Sequence, residues 1–231
     1  MTNLPDATWT EVESGPRRAV LVPVGSLEQH GPHLPFDTDT RIAVAVADGA
    51  AAQRSGVAVA PALAFGASGE HAAFPGTMSI GTAALTDVLV ELGRDVARHW
   101  GALLLVNGHG GNRDALAAAV NRLAAEGRRC AAFSVAAPGG DAHAGRTETS
   151  ILLHLDPAAV RGEDAEPGET RPIAELIGRL RDEGVRSVSA NGVLGDPAGA
   201  TADEGRRLLE HATADCVAAL DALLSQGAAD D

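Results

Sequence analysis

Short apolar runs alternate along the chain with longer segments whose apolar residues recur at helical spacing. The apolar runs predict four buried strands, at residues 19–24, 57–60, 102–106 and 130–135. The helical spacing predicts helices over 41–54, from an N-cap at Thr82 to Gly101, from Asn112 to just before Gly127, from near Thr147, around 173–181 and over 202–224. Strand, loop and helix therefore repeat, and this pattern predicts an α/β fold with a mainly parallel sheet.

No internal repeat and no linker interrupts this pattern. We therefore expect one domain over residues 1–231, with its core at about residues 18–225, preceded by a short N-terminal arm. The polar tail at 225–231 is expected to be frayed.

Composition narrows the classes of partner. The net charge is −13 and only 3% of the residues are aromatic, with no tyrosine, so neither nucleic acid nor an anionic membrane is an expected partner. The two cysteines are far apart and suit a reducing compartment. No signal peptide and no apolar stretch of membrane-spanning length is predicted, so we expect a cytoplasmic protein.

The loop after the first strand, residues 25–41, is rich in residue types that bind metals. It contains Glu28, His30, His33, Asp37 and Asp39, held among prolines and glycines that prevent a continuous helix or strand. Mixed histidine and carboxylate sets suit Zn²⁺, Fe²⁺ or Mn²⁺. The alternative is that these side chains are simply solvated, but their density favours half of a metal site.

Two further polar loops follow predicted strands. His109 lies in the sequence NGHGGN, which fails the dinucleotide pattern GxGxxG at Arg113, so we interpret His109 as a metal ligand. The alternative for this segment is a polar helix N-cap by Asn112, which is compatible with a metal role for His109. His143 and Glu148 precede and begin a helix, where Glu148 could serve only as a capping acid and His143 suits acid–base chemistry. Because ligands bind at the carboxyl ends of parallel strands, we expect all three loops to converge there.

Nucleophilic catalysis is weakly supported. The segment around Ser68 resembles a nucleophile elbow, but Glu70 replaces its second glycine. Both cysteines lie inside predicted elements. The remaining histidines fall on predicted helices and are interpreted as surface or packing residues; they are His99, His154 and His211.

The motifs ExHGPHLPxDTD, NGHGGN and HAGxxETS, in this order, resemble the creatininase family of metal-dependent amidohydrolases over residues 22–205. The resemblance implies a single three-layer αβα domain around a parallel sheet, assembly into homo-oligomers, and two divalent metal ions per subunit. It implies that one metal is held by Glu28, Asp39 and His109. It also implies that His30 and a bridging Asp39 hold the other.

The chain departs from creatininase at two places. Gly111 stands where that enzyme has a glutamate, so the last ligand is assigned to Glu148. Residues 136–142 lack the tryptophans that hold creatinine, which makes creatinine an unsuitable substrate.

Finer motifs, GASGEH, PGGDAHAGRTETS and GVLGDP, resemble a peptidase branch of the family. That branch cleaves a small, ribosomally made precursor peptide near its C-terminus after a terminal Val-Tyr pair has been modified. The resemblance implies metal-supplied hydroxide, with His143 protonating the leaving amine and Glu148 acting as a ligand or proton acceptor. The loop at 66–76, with Glu70 and His71, is expected to contact the peptide.

Two other functions remain open at this level. One is hydrolysis of a small cyclic amide or a formamide by the same kind of site. The other is a non-catalytic α/β module that binds a metal or a nucleotide.

Overall fold

The protein is built on a four-stranded, all-parallel sheet, described here from a computed structural model of residues 3–137 and 139–226. The strands are β1 (Ala19–Val24), β2 (Val57–Val59), β3 (Leu103–Asn107) and β4 (Cys130–Ser134). Their order across the sheet is β2-β1-β3-β4, so β1 and β3 are central. All four predicted strands are present, and the predicted α/β class is confirmed.

Helices cover both faces of this sheet. They are α1 (Trp9–Ser14), α2 (Thr38–Ala51), α3 (Gly81–Val96), α4 (Arg113–Ala125), α5 (Arg146–Leu155), α6 (Ile173–Glu183) and α7 (Ala202–Ser225). Side chains alternate across a strand. Leu21 and Leu104 accordingly pack with α2 and α7 on one face, whereas Val22 and Leu105 pack with α3 and α4 on the other.

The central strands are apolar at nearly every position because both faces are covered. Each of the six residues of β1 is buried, and so is each of the five residues of β3. This is the composition expected of parallel strands between two helical layers. The core therefore holds β1 and β3 in place, and this fixes the positions at which the loops after these strands begin.

Helix starts differ from the sequence predictions in three places. Helix α2 begins at Thr38, three residues before the predicted start, which places Asp39 in its first turn. The N-cap at Thr82 is wrong, because α3 begins at Gly81 after Ile80, which makes no side-chain cap. Asn112 does precede α4, but its side chain does not cap the helix.

Helix α1 was not predicted, since its six residues carry no apolar stripe. Its N-terminus is fixed by a capping box. The side chain of Thr8 accepts a hydrogen bond from the Glu11 backbone N–H, and the side chain of Glu11 accepts one from the Thr8 backbone N–H. Most of the predicted frayed tail lies outside the described residues. The domain bounds of 1–231 stay a prediction, and none of the described helices has the length and apolar content that a membrane crossing requires.

Candidate metal centre

Three loops and two helix starts meet at the carboxyl edge of β1 and β3. Glu28 and His30 follow β1, His109 follows β3, and Asp39 lies in the first turn of α2. These four side chains are between 0% and 5% exposed. The convergence that the strand pattern predicts is therefore present, and it buries two acids and two imidazoles in one place.

A first set of potential ligands consists of Glu28, Asp39 and His109, whose ligand atoms lie within 4.8 Å of one another. Glu28 Oε2 is 3.1 Å from His109 Nε2, and Asp39 Oδ2 is 3.4 Å from His109 Nδ1. One imidazole between two carboxylates is a donor set that fits Zn²⁺, Fe²⁺ or Mn²⁺.

A second set is formed by His30, His143 and Glu148. His30 Nε2 lies 3.1 Å from Asp39 Oδ1 and 3.8 Å from Glu148 Oε2. His30 Nδ1 donates to the carbonyl oxygen of Glu28 at 3.0 Å, which leaves Nε2 free and directed at the carboxylates. A backbone acceptor on the second ring nitrogen is the usual arrangement of a metal-binding histidine.

Asp39 is a member of the first set and also contacts His30 of the second set. Its Oδ1 faces His30 and its Oδ2 faces His109, while Ser26 Oγ donates to Oδ2 at 2.5 Å. A carboxylate with one oxygen turned to each set is placed to bridge two cations. The geometry therefore fits the bridging position that the family resemblance implies for this residue.

Glu28 provides the test of whether cations fit here. It is fully buried, and neither carboxylate oxygen makes a hydrogen bond of good geometry, although ring nitrogens of His109 and His71 lie 3.1 and 3.2 Å away. An ionised carboxylate taken out of water without partners costs several kcal/mol or more. Positive charge at its two oxygens would remove that cost, and the surrounding donors suit a divalent metal. The residues present therefore fit the metal ions that the fold family implies.

The charges of the centre displace its pKa values strongly. Burial alone would lower the pKa of His30, but Asp39, Glu148 and Glu28 outweigh it and raise this pKa to about 10. The pKa of His109 is also raised, since Glu28 and Asp39 outweigh burial. Burial raises the pKa of Glu148 to about 7. Without a cation, the two imidazoles thus supply the positive charge that the carboxylates require.

The backbone around His143 is specialised. Ala144 has φ +53°, a left-handed conformation that costs a residue with a side chain of order 1–3 kcal/mol. Its N–H donates to Glu148 Oε2 at 2.6 Å. On the other side, the backbone of His143 pairs with that of Leu194 in a short antiparallel bridge. The strained turn thus holds an imidazole and a carboxylate in a fixed relation.

The two asparagines of NGHGGN tie the loops together. Asn107 accepts from the backbone of His109 and donates to its carbonyl oxygen. Asn112 donates to the carbonyl of Gly25 at 3.0 Å and accepts from the backbone of Ala67 at 2.8 Å. The capping role predicted for Asn112 is therefore wrong, because its amide links the loops that follow β1 and β2.

The remaining histidines and acids named from the sequence lie outside the two sets. His33 is buried, with Nε2 2.9 Å from Thr149 Oγ1, and Asp37 pairs with Arg41 on α2. Three histidines are exposed, at positions 99, 154 and 211.

Glu70 and His71 lie in a single turn of 3₁₀ helix at Gly69–His71, beside the centre. Glu70 Oε1 is 3.4 Å from His109 Nε2, and its side chain is 28% exposed. His71 Nε2 is 3.2 Å from Glu28 Oε1, so His71 forms a third potential ligand set with Glu28 and His143. The sequence suggested these two residues only as peptide contacts. Their place inside the charge network was not predictable, because no spacing links them to Glu28.

A protein-family model described as "Creatininase: Creatinine amidohydrolase" matches residues 5–220. The chain belongs to the creatininase family. This places it among hydrolases that act on amide or peptide bonds, and it confirms the family resemblance of the sequence motifs.

Individual members of the creatininase family extend the comparison. The "Mycofactocin precursor peptide peptidase" of Mycolicibacterium smegmatis is 55% identical over 203 residues, covering 85% of this chain and 82% of that protein. A Zn-Zn form of a creatininase mutant superposes with a TM-score of 0.77 at 27% identity, covering 94% of this chain and 96% of that one. The structure titled "Creatininase Mn" gives a TM-score of 0.78 at 27% identity, with 95% and 97% covered.

Proposed function

We propose that this enzyme cleaves a peptide bond near the C-terminus of the modified mycofactocin precursor peptide and releases the core derived from its Val-Tyr pair. The observation that carries the proposal is the 55% identity, over 85% of the chain, to a peptidase named for that precursor. The absence of tryptophan from residues 136–142 is consistent with a substrate other than creatinine.

The proposed cofactor is a pair of divalent cations per chain, as Zn²⁺, Fe²⁺ or Mn²⁺. Glu28, Asp39 and His109 would hold one, and His30, Asp39 and Glu148 the other. Bound divalent cations lower the pKa of water to about 7 and polarise a carbonyl group. The buried and unpartnered carboxylate of Glu28 supports this assignment, since it requires positive charge at both oxygens.

The chain's own groups would handle the protons. We assign His143 to the leaving nitrogen, because expulsion of an unprotonated amine is unfavourable and an imidazole at the centre can supply the proton. In the metal-free protein burial raises the pKa of Glu148 to about 7, so this carboxylate can hold a proton near neutral pH until a cation displaces it. Because Oε2 also accepts from the Ala144 backbone, Glu148 is held in place for either role.

The peptide is proposed to enter beside Glu70, the partly exposed acid at the rim of the centre. Its neighbour His71 is only 4% exposed and contacts Glu28 instead of solvent. Of the two residues assigned to substrate contact, Glu70 is thus the one that a bound peptide can touch directly.

The decisive experiment incubates the metal-loaded enzyme with the modified precursor peptide and identifies products by mass spectrometry. We expect one cleavage near the C-terminus, with mass gained equal to one water across the two fragments. Metal-free enzyme and a precursor with an unmodified C-terminus serve as controls. Turnover of a small cyclic amide or a formamide, with an intact peptide, would contradict the proposal.

We also propose that the chain forms a homo-oligomer. Four large apolar side chains are exposed on the segments that carry the site loops: Phe36, Phe65, Met78 and Ile80. Light scattering on the purified protein measures its mass. A multiple of the 23.4 kDa chain is expected, and Met78→Glu should lower that mass, whereas Trp9→Glu, at an exposed position on α1, should not.

A further inference from the structure

Gln29 lies between two of the proposed metal ligands, Glu28 and His30, and is 5% exposed. Its side-chain amide is held by two backbone groups of known polarity. Oε1 accepts from the N–H of Gly31 at 2.8 Å, and Nε2 donates to the carbonyl oxygen of Gly192 at 3.0 Å. Turning the amide over would set a donor against a donor and an acceptor against an acceptor. The backbone therefore fixes which end is nitrogen.

The fixed amide determines the tautomer of His71. Gln29 Nε2 lies 2.9 Å from His71 Nδ1, and an amide nitrogen only donates, so Nδ1 is the acceptor. The proton of the neutral ring is then on Nε2, which faces Glu28 Oε1 at 3.2 Å. A ring nitrogen that carries a proton does not bind a metal. His71 therefore presents a protonated nitrogen to Glu28.

The backbone of the same residue determines the tautomer of His143. His143 Nε2 lies 2.8 Å from the carbonyl oxygen of Gln29, which only accepts, so Nε2 carries the proton. The amide nitrogen of Gln29 is also 3.1 Å from His143 Nε2, but its two hydrogens are directed at His71 and Gly192. His143 Nδ1 is left unprotonated, and it faces Glu28 Oε1 at 3.7 Å.

We infer that Gln29 is a positioning residue that makes two adjacent imidazoles present different nitrogens to Glu28. His71 presents its protonated Nε2, whereas His143 presents its unprotonated Nδ1, which can accept a proton. The ring centroids of these two histidines are 4.6 Å apart, so sequence and proximity alone do not distinguish them. It follows that Glu28, His71 and His143 are not a third metal site, although their distances permit one.

This inference rests on the proposed function of His143 and deepens it. In the resting enzyme His143 has no proton on Nδ1 to give, so it first takes one from the attacking water. The carbon–oxygen bond then forms, the carbon–nitrogen bond breaks, and the proton passes from Nδ1 to the leaving nitrogen. The second proton of the water stays with the new carboxyl group and is released. His143 thus carries one proton from nucleophile to leaving group.

Gly192 is required for this arrangement. Its φ is +85°, and a Cβ there would lie 2.0 Å from Gln29 Oε1. The glycine lets the backbone approach the amide closely enough for its carbonyl to fix the orientation. A contact across 163 residues of sequence therefore decides the protonation of the centre.

Nitrogen-15 NMR of histidine-labelled, metal-free protein tests the inference directly, because ring nitrogens with and without a proton have distinct shifts. In the wild type both His71 and His143 should be Nε2–H tautomers. A wild-type His71 that carries its proton on Nδ1 would overturn the inference. The measurement needs neither peptide nor metal, so its outcome is independent of whether the precursor peptide is cleaved.

Two variants separate the side-chain contact from the backbone contact. Gln29→Glu replaces the donor to His71 with an acceptor and should move the His71 proton to Nδ1, whereas His143 should be unchanged. Gln29→Leu removes the contact and should give a mixture at His71. An unchanged His71 in both variants would refute the positioning role.

Kinetics add a second readout. Gln29→Glu should lower kcat about 100-fold, at the low end of what a positioned general acid or base contributes, with a smaller change in KM. The exposed Gln53→Glu, in the turn that follows α2, is the matched control and should leave both unchanged. Equal kcat in the two variants would contradict the inference.

Discussion

At the scale of single residues, the centre separates groups proposed to hold metal from a group proposed to move protons. His109 lies between Glu28 and Asp39, whereas the chemistry assigned to His143 depends on a free Nδ1. His109→Ala should therefore lose bound metal and activity together. His143→Ala should keep at least one metal ion per chain and lose turnover. Elemental analysis beside the peptide assay measures both.

The opposite result would reverse the roles assigned to His109 and His143. Loss of all metal from His143→Ala would mean that this imidazole is a principal ligand, and the assignment of proton transfer to it would fail. His99→Ala, at an exposed position outside the centre, is the control and should match the wild type in both measurements.

The glycines of NGHGGN have different physical reasons to be glycine. A Cβ at Gly108 would lie 2.3 Å from the backbone oxygen of Asp39, so that strand end and helix α2 meet backbone to backbone. At Gly110 nothing lies within 4 Å. At Gly111 a Cβ would meet His109, Ala67 and Glu70. Close packing therefore requires glycine at positions 108 and 111, whereas position 110 has room for a side chain.

Alanine substitutions measure this difference. Gly108→Ala should lower the free energy of unfolding by about 1–3 kcal/mol or more, as overpacking does, and weaken metal binding because Asp39 moves. Gly110→Ala should change neither by more than about 0.5 kcal/mol. Urea unfolding and metal titration provide the two measurements, and equal effects of the two variants would contradict the close approach.

At the scale of elements, α5 and α7 approach each other backbone to backbone at Gly205. A Cβ at Gly205 of α7 would lie 1.8 Å from the carbonyl oxygen of Ser150 on α5. Helix α5 carries Glu148, so this crossing also sets the depth of a proposed ligand. The crossing is backbone on backbone, which no rotamer change relieves.

Two glycine-to-alanine changes inside helices should therefore have opposite signs. Gly205→Ala is expected to destabilise by at least about 3 kcal/mol, because one of two packed helices must shift. Gly178→Ala in the exposed part of α6, where nothing lies within 4 Å, should stabilise by about 0.5–1 kcal/mol through helix propensity. Thermal unfolding followed by circular dichroism compares them, and stabilisation by both would refute the crossing.

The elements themselves were largely predictable, and the exceptions have physical causes. Runs such as 19–24 and 102–106 specify buried strands because apolar residues on both faces require two covering layers. The start of α2 was placed three residues late, because Thr38 and Asp39 are polar and give no helical periodicity. Helix α1 depends on a capping box and has no buried residue, so hydrophobic spacing cannot reveal it.

The site shows the same limit. The loop at 25–41 and the NGHGGN segment indicated Glu28, His30, Asp39 and His109 because each follows a strand that ends at one edge. Gln29 and His71 were not given their positions in the network, since their partners are set by a tertiary contact with Gly192. Residue type and spacing do not predict a hydrogen bond between residues as far apart in sequence as Gln29 and Gly192.

At the scale of the whole molecule, metal binding and protonation compete. In metal-free protein the pKa of His30 is raised from 6.5 to about 10, so its stabilising contribution is complete below about pH 6.5 and disappears as pH rises towards 10. Glu148, with a pKa of about 7, is partly protonated at neutral pH. A cation at these ligands must displace the protons.

Metal loading should therefore release protons. Titration calorimetry at pH 7 in two buffers of different ionisation enthalpy should give at least about one proton released per chain, and apparent affinity should rise between pH 6 and pH 8. His30→Gln is expected to reduce the number released. Equal heats in the two buffers would show that the ligands are already deprotonated.

The buried carboxylate of Glu28 has a consequence for the lifetime of the protein. In metal-free protein the charge of Glu28 is offset only by imidazoles that must hold a proton, such as that of His109. Cations that bind the folded chain and not the unfolded one would stabilise it by mass action, so we expect metal-free protein to be digested faster than metal-loaded protein by a protease of broad specificity. The persistence of the enzyme would then depend on the supply of metal.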